Sequence, residues 1–129
     1  MSIAFLSDEW LAEFTDRLGA LEPYHGPSHV VQVEVKGGPD GRVIYHVLVP
    51  DGGTLQYVPG KHDDPGVVIN QEWDDALAQA QGTFDPAVGF MQGHMKVKGS
   101  TRPLLELFSA MARPDYGQAV SELAADTLF

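Results

Sequence analysis

Apolar residues recur near the start of the chain at Leu6, Trp10, Leu11, Phe14, Leu18 and Leu21. Offsets of three and four put them on one stripe, as in an amphipathic helix packed on a core. Ser7 is placed to cap that helix, and Asp8 and Glu9 set negative charge against the positive end of its dipole. Pro23 and Gly26-Pro27 stop the pattern, and beyond them the period is two. Val31, Val33 and Val35 alternate with Gln32, Glu34 and Lys36, which predicts a strand with one wet face. The turn Gly37-Gly38-Pro39-Asp40-Gly41 leads to a second strand, with Val43, Tyr45, Val47 and Val49 on one face and Ile44 and Leu48 on the other. Apolar residues on both faces predict that this strand is central. Pro50-Asp51-Gly52-Gly53 turns the chain into a short strand over Thr54 to Val58, and a polar loop from Pro59 to Gly66 precedes a fourth at Val67-Val68-Ile69. Turns this short imply antiparallel neighbours.

From Gln71 the spacing of Trp73, Leu77 and Ala80 is helical again, up to Gly82. Asp85-Pro86 reads as the N-cap and first position of a short helix over Ala87 to Met91, closed by Gly93. Met95-Lys96-Val97-Lys98 alternates as a fifth strand with Met95 and Val97 inward, and Gly99 turns the chain. Ser100 or Thr101 caps a helix carrying Leu104, Leu105, Phe108 and Met111 on one face. Pro114 ends it, and a last amphipathic stretch through Tyr116, Val120, Leu123 and Leu128 runs to the terminus. With no internal repeat, low-complexity tract or linker, this order predicts one α+β domain over residues 1–129.

Composition narrows the function classes. Of 129 residues 43% are apolar and 20% charged, the balance of an ordered globular protein. No apolar run approaches the ~18 residues of a spanning helix. Met1 to Leu6 has no basic start followed by a long apolar block, so the cytoplasm is the expected location. Eight Lys and Arg against 18 Asp and Glu leave a net charge of −10. Such a field repels phosphate backbones and anionic headgroups, which argues against nucleic acid and against strong binding to an anionic membrane. The absence of Cys removes disulfides, thiol nucleophiles and thiolate metal sites.

The histidines, His25, His29, His46, His62 and His94, do not form a metal-binding pattern. Gly26 and Pro27 forbid the helix that would bring His25 and His29 to one face, and His62-Asp63-Asp64 reads as a solvated turn. His46 is expected mid-strand on an outer or half-exposed face. Gly37-Gly38 and Gly52-Gly53 precede strands rather than helices, so they are hairpin turns and not phosphate cradles. No motif in the sequence announces a catalytic set or a cofactor site. What remains is apolar and concentrated in the second half, at Phe84, Phe90, Met91, Met95, Leu104, Leu105, Phe108, Met111, Leu128 and Phe129. Adaptable Met with Phe on facing elements suits a pocket for greasy ligands, but periodicity alone favours a plain core.

The run from Phe84 to Phe108 resembles the sterol carrier protein 2 (SCP-2) family of lipid-transfer domains. The matching residues are Phe90, Met91, Gly93, Met95, Lys96, Val97, Gly99, Leu104, Leu105 and Phe108, with His94 where that family usually has Lys. The resemblance implies a mostly antiparallel five-stranded sheet with helices on one face, an apolar tunnel, and a C-terminal helix acting as a lid. It places Met95, Val97, Leu104, Leu105, Phe108 and Met111 along the tunnel, with Phe90 and Met91 facing them; Phe84, Val120 and Leu123 complete the candidate ligand-binding set. The implied activity is non-catalytic carriage of a fatty acid, acyl-CoA or sterol-like lipid by a bacterial-type relative, without cofactor or metal. Two other readings stay open at this point. One is an accessory or homodimerisation module of the same fold; the other is a cone-shaped isomerase or hydratase, which requires His46 and a buried carboxylate in one cavity.

Overall fold

The computed structural model describes residues 2–129. Ile3–Ala4 forms a short strand, β1, ahead of helix α1 (Asp8–Leu18). The Ser7 hydroxyl accepts from the Trp10 N–H at 3.1 Å, as the sequence predicts, and Trp10, Leu11, Phe14 and Leu18 are the buried stripe. Strands β2 (His29–Gly38), β3 (Gly41–Val49), β4 (Gln56–Pro59) and β5 (Val67–Glu72) follow. Then come helices α2 (Trp73–Ala80) and α3 (Pro86–Met91), strand β6 (Met95–Gly99), helices α4 (Thr101–Met111) and α5 (Pro114–Ala125), and strand β7 (Thr127–Leu128).

The five-stranded sheet is ordered β4-β3-β2-β5-β6. Its centre is β2 and not β3, whose outward Ile44 and Leu48 are only half-buried. All neighbours are antiparallel except β2 and β5, which run parallel with Val31 opposite Val67 and Val35 opposite Gln71. The expectation from short turns fails there because the β3–β4 hairpin and the following loop lie between these strands in sequence. The chain thus has length enough to cross over and return in the same direction. Val31, Val33, Val35, Val47, Val49, Val67 and Ile69 bury the inner face beneath the helices.

The outer face is not uniformly wet. Gln32 and His46 are buried on it because the polar loop over 60–66 folds across them. Gln32 accepts from the His62 N–H at 3.1 Å, and His46 Nδ1 donates to the Gly60 carbonyl at 2.9 Å. At the opposite edge Gly99 has φ +111°, and a Cβ there would lie 2.8 Å from the Gly66 carbonyl oxygen and 3.2 Å from Val67 Cα. Both neighbours are backbone, so only glycine lets β6 close on β5 at this register.

The terminal stretch does not stay helical to its end. β7 pairs in parallel with β1, Ile3 with Thr127 and Ala4 with Leu128. Trp10 Nε1 donates to Thr127 Oγ1 at 3.1 Å, and Arg17 Nη2 donates to Asp126 at 2.7 Å. Hydrogen bonding to that guanidinium lowers the Asp126 carboxyl below its ordinary value. Strands of two residues carry no periodic signal, so this clasp was invisible in the hydrophobic pattern.

Candidate functional site

Helices α1, α2, α4 and α5 do not close completely over the β3–β4 side of the sheet. They leave a cavity of about 740 Å³, within the range of small-molecule sites. Its floor is buried and aromatic, built from Phe5, Trp10, Phe14, Tyr57, Phe108 and Tyr116. Its rim is exposed: Gln81, Gly82, Thr83 and Asp85 lie between α2 and α3, and Gly117 and Ser121 face them from α5. The mouth is therefore the gap between that connection and α5.

Local sequence fixes each wall. The floor rings lock one another, with Phe5 and Trp10 edge to face at 5.2 Å, Phe14 4.6 Å from Tyr57 and 5.7 Å from Tyr116. Leu6 reaches the lining in a left-handed conformation, φ +59°, which costs ~1 kcal/mol for an L-residue. Phe84 lies over Gly89, where any Cβ would collide with its ring. Asp85 caps α3 by accepting from the N–H groups of Ala87 and Val88 at 2.9 and 3.4 Å. A short capped helix thus holds Phe84 at the rim. Towards the sheet, Tyr57 and Tyr116 share a buried hydrogen bond of 2.7 Å, and the Tyr45 ring stands 5.9 Å from that of Tyr57. Burial raises all three phenols well above their ordinary range, because each phenolate would lose its hydration. They are neutral hydroxyls at physiological pH.

Among the residues singled out from the sequence, Phe84, Phe108, Met111, Val120 and Leu123 lie on the cavity lining. Met95 and Leu104 are instead sealed in the core, and Val97 and Phe90 are half-buried behind the walls. Met95 and Val97 belong to β6, the sheet edge farthest from β4, whereas the cavity sits over β3 and β4. Leu105 is 55% exposed because α4 turns Leu104, Leu107 and Phe108 inward, and Met91 is 82% exposed at the end of α3. The hydrophobic pattern gives no sign that Phe5, Leu6, Trp10, Phe14, Tyr45, Tyr57 and Tyr116 also line the cavity. Their spacing announces a core, and periodicity does not distinguish a side chain facing a void from one facing its neighbours.

The segment after Pro114 is more than a cover. Tyr116, Ala119 and Leu123 of α5 are buried in the core, and the clasp of β1 with β7 ties its far end. His46 lies on the outer face of the sheet and meets no carboxylate in the cavity, so the arrangement that the isomerase reading requires is not present. Among the described residues no group of three or more His, Cys, Asp or Glu is placed to hold a metal ion. No helix among them is long and apolar enough to cross a membrane.

A profile of the SCP-2 sterol transfer family matches residues 7–112. The chain belongs to that family. Solved SCP-2 structures share its fold: palmitated SCP2L2 from Aedes aegypti superposes with a TM-score of 0.66 at 19% identity, covering 88% of this chain and 96% of that one. The Aedes aegypti sterol carrier protein 2 in complex with the C16 fatty acid palmitate gives 0.58 at 21% identity, covering 87% and 97%. A conserved hypothetical protein of Thermus thermophilus gives 0.65 at 16% identity, covering 92% and 89%. No curated protein matches this SCP-2 chain in sequence. At these identities the shared feature is the fold: five strands, mostly antiparallel, with helices against the inner face.

Proposed function

We propose that this SCP-2 chain is a non-catalytic lipid carrier, acting as one unit over its 129 residues, that holds an apolar ligand in the cavity beneath α5. The observation that carries the reading is the cavity of about 740 Å³ with its aromatic floor. Each methylene moved from water into such a site is worth ~0.8 kcal/mol, so ten would supply ~8 kcal/mol before ordering costs. Phe84, Phe108, Met111, Val120 and Leu123 contact the ligand in this reading, while Phe90, Met95, Val97 and Leu104 shape the walls from behind. Met91 and Leu105 point away from it. Membership of a sterol transfer family supports it, as do Aedes aegypti relatives described with palmitate. Exchange proceeds through the mouth by displacement of the first half of α5, where Gly117 weakens the helix and a Cβ would meet nothing within 4 Å. In the cytoplasm, a net charge of −10 makes the encounters of this carrier with an anionic membrane transient.

The test is organic extraction of natively purified protein followed by mass spectrometry. The expected result is an apolar molecule in near-stoichiometric amount, absent from extracts of a chain purified through denaturation. Extracts without any enriched apolar species, from protein that is folded, would contradict the carrier reading.

A further inference from the structure

The lining of the cavity is uneven in its polar chemistry. It includes no Lys, Arg or His, and its one acidic side chain, Asp85, is an exposed carboxylate at the mouth. The polar residues of the lining on the side of the sheet are Tyr45, Tyr57 and Tyr116. Tyr57 and Tyr116 satisfy each other across 2.7 Å, which consumes one of their two hydroxyl hydrogens. Among the described residues the Tyr45 hydroxyl makes no hydrogen bond, and it is not one of the polar atoms sealed in protein without a partner. Among the described residues, two hydroxyl hydrogens of the tyrosines that line this apolar cavity thus have no protein acceptor.

We propose that the cavity selects uncharged lipids bearing a single hydrogen-bonding group, seated against Tyr45 and the Tyr57–Tyr116 pair, and disfavours ionised carboxylates and phosphates. The inference rests on the carrier reading above. A neutral hydroxyl or carbonyl oxygen accepts from Tyr45 and leaves no charge unpaired. A carboxylate at the same place gains hydroxyl hydrogen bonds but is stripped of water with no cation to face, and that desolvation dominates. The raised phenol pKa values keep the tyrosines neutral, so they are donors and not anions. On the approach, Asp85 and a net charge of −10 act in the same direction.

The experiment is displacement of N-phenyl-1-naphthylamine, an uncharged fluorescent probe, from the delipidated full chain by 1-dodecanol and by dodecanoate at pH 8 and pH 6. The alcohol is expected to bind at least about tenfold more tightly at pH 8. Dodecanoate should gain on lowering the pH, because a bound state that prefers the protonated acid raises its pKa; the alcohol should not. Tyr45→Phe should weaken 1-dodecanol roughly 3- to 10-fold, the loss of one hydrogen bond, once competition is corrected for the variant's own probe affinity. Dodecanoate binding as tightly as the alcohol at pH 8, or Tyr45→Phe without effect on the alcohol, overturns this inference and leaves the carrier standing. A folded chain that binds neither the probe nor either competitor overturns both.

Discussion

Substituting Ala80→Trp and Val120→Trp together should lower affinity for N-phenyl-1-naphthylamine about 100-fold or more while the chain stays folded. The two positions are on α2 and α5 and both line the cavity. Neither is in the fully buried core, so added indoles grow into open space instead of displacing packed neighbours. Excluding the equivalent of four methylenes removes ~3 kcal/mol of transfer free energy, a factor of about 200 in affinity. Filling an apolar void does not lower stability, and the urea midpoint should hold or rise. Unchanged affinity in a folded double variant would mean that the probe binds elsewhere.

Trp10→Ala should destabilise the chain by about 3–5 kcal/mol, a large share of the 5–15 kcal/mol that holds an ordinary domain together. Trp10 is 6% exposed. It packs edge to face on Phe5 and at 5.3 Å on Phe14, and its Nε1 donates to Thr127 Oγ1. Phe5 in turn touches Trp73 and Phe129. One side chain therefore joins the cavity floor to the clasp that ties α5 down, and its removal forfeits these contacts together. Trp10→Phe keeps the ring contacts and should lose much less. Urea unfolding followed by circular dichroism checks both, and a loss under about 1 kcal/mol for Trp10→Ala would refute this role for the ring.

Elements with strong periods or caps were legible in the sequence. The alternation around Val31 to Val35, the Ser7 and Asp85 caps, and the Met95-Lys96-Val97 strand all fold as their patterns require. The centre of the sheet was not legible. An apolar residue on the outer face of β3 reports cover by any neighbour, and a loop can supply it as well as a strand. The loop at His62 read as solvated because its own residues are polar, yet its backbone caps Gln32. The site was half legible, since Phe108, Met111 and Leu123 betray only that their helices have buried faces. Which faces meet a void depends on how helices splay over β3 and β4, where Trp10, Phe14, Tyr45 and Tyr57, far away in sequence, supply the bulk. The family motif fell on β6 and α4, where Gly99 permits close strand pairing and Leu104 fills the core. Those residues mark the fold more than the lining.

If the chain is a carrier, an apolar molecule enters the space between α1, α2, α4, α5 and the β3–β4 side of the sheet. Intermolecular NOEs between bound N-phenyl-1-naphthylamine and the methyl groups of the folded chain test it most directly. One bound molecule is expected, with NOEs to Met111, Val120 and Leu123. NOEs confined to Val88, Met91 and Leu105, the exposed apolar side chains of α3 and α4, would place the ligand on the surface and contradict it.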